Sequence, residues 1–94
     1  MTCKELLFSD HAITQMFKRS IPVEHIKWAL EHGEIITSYP TDKPYPSYLV
    51  LGYTNNRVVH IVVGKDEITG RCIIVTAYEP DPNIWEPDFK TKRK

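Results

Sequence analysis

Apolar residues recur every three to four positions in the first third of the chain and in near alternation afterwards, so the pattern changes from helix to strand around residue 34. Ser9 has the short polar side chain of an N-cap. Ala12, Ile13, Met16 and Phe17 then share one helical stripe, with His11, Thr14, Gln15 and Lys18 opposite, which predicts a first helix over about 10–19. Ser20 and Ile21 connect to Pro22, a favoured first-turn residue. Val23, Ile26, Ala29 and Leu30 repeat at helical spacing until Gly33 closes a second helix. Ile35, Ile36 and Tyr39 read as a strand, after which Pro40, Pro44 and Pro46 break regular structure and put Asp42 and Lys43 in an exposed loop.

Strands are predicted over 48–54, 57–65 and 71–78. Asn55-Asn56 tolerates positive φ and suits a tight hairpin turn between the first two. Glu67-Ile68-Thr69-Gly70 forms the second turn, with Gly70 in the left-handed position of a bulged loop. A short strand at Leu6 to Phe8 completes the order (β)ααββββ. The expected fold is α+β: two N-terminal helices on one face of an antiparallel sheet of about four strands, in a single domain with its body at about 5–79. Val59, Ile61, Val63, Ile73, Val75 and Ala77 are expected under the helices. Val58, His60, Val62, Ile74, Thr76 and Tyr78 take the other face, with His60 opposite Tyr78 and diagonal to Thr76.

The last sixteen residues differ in composition. Residues 79–88 hold four acids (Glu79, Asp81, Glu86, Asp88) and no base, and the tail adds Lys90, Lys92, Arg93 and Lys94. Pro80, Pro82 and Pro87 exclude a helix interior or central strand, so 80–94 reads as an extended Pro-rich arm, pinned by Trp85 and Phe89 with its basic residues mobile. Twelve basic and twelve acidic residues cancel, so affinity for nucleic acid, membranes or acidic substrates has to be local. Cys3 and Cys72 are too few for a disulfide framework, and charges interrupt the N-terminal apolar run. A soluble protein of the reducing cytoplasm, with no membrane span, is expected.

Several residues have side chains suited to acid–base chemistry. His11 falls in the first turn of helix one, where the helix dipole keeps an imidazole neutral; such a histidine serves equally as an ordinary surface residue. Arg19 could reach a bound phosphate or simply cap its helix C-terminus. His60, set among valines and isoleucines, needs a partner, and Tyr78 or Thr76 can supply one, either as chemistry or as a satisfied core pair. Together these groups contain the parts for metal-independent RNA cleavage: a base for the 2′-hydroxyl, cations for the charged phosphorane and an acid for the leaving oxygen. His25 and His32 stand two turns apart, too far for one ion, and with Trp28 form a candidate partner surface. The acids of 79–88 lack Ca²⁺-loop spacing, and no phosphate loop or nucleotide fingerprint occurs, so neither metal nor cofactor is expected.

Phe8-Ser9-Asp10-His11-Ala12 through Met16 to Arg19, Gly33-Glu34, Tyr39-Pro40, Leu51-Gly52, Val59-His60-Ile61-Val62-Val63 and Ile74-Val75-Thr76-Ala77-Tyr78-Glu79-Pro80-Asp81-Pro82 occur in an order that resembles domain-of-unknown-function family 4258. Ser20 stands where that pattern leads one to expect glycine. The resemblance implies a link to the RelE/ParE-like (BrnT-like) superfamily of small bacterial toxins, many of which cleave mRNA and are held by an antitoxin protein. It implies an endoribonuclease whose site uses His11, Arg19, His60, Thr76 and Tyr78, with His11, Arg19, His60 and Tyr78 as catalytic residues; the local charge of Lys18 and of Lys92 and Arg93 in the tail, with Thr76, is then expected to bind RNA, on or off the ribosome. The other reading it allows is a non-enzymatic module that binds a protein through Trp28, the acidic arm and a sheet edge.

Overall fold

Ser9 joins the two layers of the protein. In the computed structural model, which describes residues 1–54 and 56–94, its hydroxyl accepts the Ala12 N–H at 3.0 Å and donates to the Val75 carbonyl at 2.9 Å. It therefore caps α1 (Asp10–Arg19) and ties that helix to β5 (Arg71–Tyr78) at once. Helix α1 ends at Ser20, which is left-handed at φ 53° and whose N–H satisfies carbonyls of the last turn. Helix α2 (Val23–His32) follows directly and closes at Gly33.

The sheet has five strands in the order β1-β5-β4-β3-β2, where β1 is Glu5–Phe8, β2 Glu34–Tyr39, β3 Ser47–Thr54 and β4 Arg57–Lys65. Strands β2 to β5 pair antiparallel. The short N-terminal strand, predicted at Leu6 to Phe8, pairs with β5 in parallel, so the sheet is mixed and five-stranded where an antiparallel sheet of about four strands is expected. The α+β class and the two helices agree with that pattern. Of the predicted Asn55-Asn56 turn, Asn55 lies outside the described residues, while Asn56 has φ 68°; Gly70 has φ 79°, the left-handed geometry expected of it.

Two expectations about faces are corrected. On β5 the residues packed into the helix-side core are Cys72, Ile74 and Ala77, not Ile73 and Val75. Val62 pairs with Thr76 and Val63 with Ile74, so Val75 is the extra residue of a β-bulge, 42% exposed, and the alternation of faces shifts by one across it. On α1 only Ala12 and Met16 are buried, whereas Phe17 is 87% exposed. The helix packs on β5, one strand from the sheet edge, and its Ile13–Phe17 flank opens on an apolar groove shared with Phe8, Ile21 and Val23.

Two further corrections follow from tertiary contacts. Cys3 and Cys72 form a disulfide 69 residues apart in sequence, because the parallel pairing of β1 with β5 brings the chain just before β1 onto the start of β5. Segment 80–94 is not an extended arm. It turns back on itself, with Glu86 N–H on the Thr91 carbonyl and Arg93 N–H on the Ile84 carbonyl, both at 2.8 Å, and a bridge between Trp85 and Lys92. Asp88 closes its tip, and the N–H of Lys90, then that of Thr91, holds its carboxyl below the usual range. Three of the four tail cations are engaged: Lys90 pairs with Glu34 at 3.0 Å, Arg93 donates to the Pro82 carbonyl and Glu86, and Lys92 stands 5.7 Å from the Trp85 ring centre. Among the described residues, no helix is long and apolar enough to cross a membrane.

Candidate functional site

Val59, Ile61 and Val63 alternate into the core beneath the helices, so His60, between them on β4, projects from the opposite face. There it pairs across the ladder with Tyr78 on β5 and Leu51 on β3, the Tyr78 register being the one the sequence predicts. The folded C-terminal loop covers this face. Trp85, itself buried, meets the His60 ring edge-on at 4.6 Å between centroids, and Leu49 and Leu51 complete a second, smaller apolar cluster.

Both imidazole nitrogens are occupied. Nε2 lies 2.8 Å from the Phe89 carbonyl, which can only accept, so Nε2 carries the proton of the neutral ring. Nδ1 is then a bare acceptor, 3.2 Å from the Tyr78 hydroxyl, which donates to it. Burial pushes the His60 pKa below its ordinary value, opposed by the bond to Phe89. Burial also raises the Tyr78 phenol, with a further contribution from nearby Tyr39. At neutral pH the pair is therefore an uncharged imidazole accepting from an uncharged phenol.

Tyr78 reaches an open cavity of about 310 Å³ that it lines with Thr37, Tyr39, Trp85, Lys90 and Lys92. Two tyrosines and two lysines thus line one opening, backed by a buried base. Glu34, which accepts from the Lys90 ammonium, raises the Lys90 pKa and keeps it charged. Among the described residues, no three His, Cys, Asp or Glu side chains converge to hold an ion.

The other sequence-derived candidates fall elsewhere. His11, Lys18 and Arg19 are exposed on α1, on the helix side of the sheet, and the sheet separates them from His60 and Tyr78. Arg19 contributes its backbone: its carbonyl and that of Ser20 accept from the Arg57 guanidinium at 2.8 and 2.6 Å, while Arg57 also pairs with Glu79. Thr76 shares the face of Tyr78 but pairs with Val62 outside the cavity, and Arg93 is held within its own loop. Of the predicted set, the cavity brings together Tyr78 and Lys92, with His60 behind them. Sequence reasoning missed Tyr39 and Lys90. Tyr39 was legible only as the end of a strand, and Lys90 only as one of several tail cations, because the fold of the loop decides which of them faces the sheet.

These features define a small α+β domain whose sheet has one face under helices and the other under a C-terminal loop, with a histidine sealed beneath that loop and a phenol at the opening beside it. A family model described as a domain of unknown function (DUF4258) matches residues 8–79, and the chain belongs to that family. The match takes in both helices and strands β2 to β5; the covering loop follows it. Neither the curated proteins nor the solved structures hold a significant match to this chain.

Proposed function

We propose that this protein is the toxin-like component of a bacterial toxin–antitoxin module and acts as a metal-independent endoribonuclease from the cavity beside Tyr78, on the loop-covered face of its sheet. The observation that carries this reading is the Tyr78–His60 hydrogen bond at the back of a cavity that also holds Tyr39, Lys90 and Lys92. The resemblance of the sequence to RelE/ParE-like toxins supports it. His11 and Arg19 have no part in this version.

In the proposed reaction the Tyr78 oxygen takes the proton of a ribose 2′-hydroxyl while its own proton passes to His60 Nδ1. The 2′-oxygen bonds to phosphorus, the Lys90 and Lys92 ammonium groups balance the charge of the phosphorane, and the bond to the 5′-oxygen breaks as the Tyr39 phenol protonates it. The products are a 2′,3′-cyclic phosphate and a 5′-hydroxyl. General acid–base catalysis contributes about 10²–10⁴-fold in such reactions, so removing the Tyr78 hydroxyl should have an effect of that order.

The test is cleavage of an end-labelled mixed-sequence RNA in EDTA, with and without ribosomes. Wild type should produce cyclic-phosphate ends, Tyr78→Phe should lose cleavage at least 100-fold while keeping its fold, and His11→Ala should cleave as wild type does. Absence of cleavage by wild type in both conditions would overturn the proposal.

One observation favours a second reading, a protein-binding module without catalysis: the exposed Ile13–Phe17 flank of α1, an apolar surface that a monomer rarely leaves bare. On that reading Phe17→Ser abolishes partner capture and Tyr78→Phe changes nothing but stability.

A further inference from the structure

Two open cavities flank the junction of α2 with β3. One, about 260 Å³, includes His32, Glu34 and Lys90 in its lining; the other, about 310 Å³, includes Glu24 and Thr54; Trp28 and Tyr53 line both. Packing does not require either aromatic there, since α2 seats on the sheet through Ala29 against Gly52, and Trp28 and Tyr53 remain 52% and 58% exposed. The His32 ring packs against the indole, tilted by 35° with centroids 3.9 Å apart. A half-exposed indole that shares two cavities with an exposed phenol is a platform for a flat ligand.

Lys90 connects this platform to the candidate active site. It lines the 260 Å³ cavity and also the cavity of Tyr39 and Tyr78, and it is within electrostatic reach of Tyr53. An ammonium therefore stands between an aromatic cleft on one side and the phenol–imidazole pair on the other. Alternating π-faces and cations is the arrangement that takes single-stranded nucleic acid, with bases stacked on the aromatics and phosphates on the lysines.

We infer that Trp28 and Tyr53 form a base-stacking subsite for single-stranded RNA, adjacent along the strand to the phosphate held at Tyr78, with Lys90 on the connecting phosphate. This inference rests on the ribonuclease reading and extends it to how the substrate is gripped. Glu34 opposes the grip, because its carboxylate already pairs with Lys90 at 3.0 Å and a phosphate has to displace it. The subsite has no sequence code of its own, since every base presents a π-face.

The test uses a 2′-O-methyl hexanucleotide, which cannot be cleaved, with binding followed by fluorescence anisotropy at low salt and fold checked by circular dichroism melts. Trp28→Ala and Tyr53→Ala should each weaken binding about tenfold, Trp28→Phe should restore most of the loss, and Glu34→Gln should tighten binding. His11→Ala, on the helix side of the sheet, should bind as wild type does. In parallel cleavage assays Trp28→Ala should raise KM and leave kcat within about twofold. Unchanged binding by both alanine variants would overturn the subsite and leave the nuclease reading standing. Trp28-dependent binding with no RNA cleavage by wild type would overturn the nuclease reading and keep the subsite. Failure of wild type to bind the oligonucleotide would remove the subsite outright.

Discussion

His60 is fully buried, and its surroundings hold one tautomer through the Phe89 carbonyl on one side and the Tyr78 hydroxyl on the other. Because burial lowers its folded-state pKa, the unfolded chain binds the imidazole proton more readily. The stabilisation is therefore whole above the unfolded value of 6.5 and declines as pH falls through it toward the folded value, with a slope of at most about 1.4 kcal/mol per pH unit. Thermal melts should show Tm dropping between about pH 7 and pH 5, and His60→Gln should flatten that part of the profile while lowering Tm throughout. Ser20 illustrates a local departure with a local effect. A left-handed conformation is disfavoured by roughly 1–2 kcal/mol for a residue with a side chain, so Ser20→Gly should raise stability by about 0.5–1 kcal/mol after the added flexibility of the unfolded chain is subtracted. Chemical denaturation of the two proteins measures it directly.

At the scale of elements, three junctions set the geometry. Ser9 couples the start of α1 to the bulge in β5, and the bulge is what presents the Val75 carbonyl for this contact. Arg57 holds the end of α1 by accepting no bonds and donating to the Arg19 and Ser20 carbonyls and to Glu79. Gly52 lets α2 approach β3 so closely that a Cβ there would lie 2.3 Å from the Ala29 Cβ. Gly52→Ala should consequently force helix and sheet apart and destabilise the protein by about 1–3 kcal/mol, the range of overpacked cores. It should also disturb Trp28 next to the contact, so a changed tryptophan emission spectrum should accompany the lowered denaturation midpoint.

Across the whole molecule, the two faces of the sheet are closed by different parts of the chain. Helices cover one, and the loop 80–94 covers the other through Trp85 and Phe89. The Cys3–Cys72 disulfide joins the chain before β1 to the start of β5 and closes a loop of 69 residues. A cross-link spanning that much chain restricts the unfolded state, and such bonds typically contribute about 2–4 kcal/mol. Cys3→Ser, or wild type with a strong reductant, should melt earlier by a corresponding amount, and Cys3→Ser should no longer respond to reductant. Because β1 is the edge strand beside the Ile13–Phe17 groove, hydrogen exchange in the reduced protein should accelerate first in β1.

The α+β class, both helices, strands β2 to β5 and the pairing of His60 with Tyr78 were legible in the sequence, because each rests on short-range periodicity, a cap or a turn residue with a left-handed preference. Other features depended on what lies beside a residue in space. The parallel addition of β1, and with it the disulfide, follows from contact between the two ends of the domain. The bulge at Val75 reverses a face that strict alternation assigns otherwise, and burial of the Ile13–Phe17 flank failed because the sheet ends one strand beyond α1. The candidate site divides in the same way. His60, Tyr78 and Lys92 were recognisable as polar groups out of place among apolar neighbours or as tail cations, whereas the separation of His11 and Arg19 from them, and the entry of Tyr39 and Lys90, were decided by the sheet between its two layers and by a loop that folds back instead of extending.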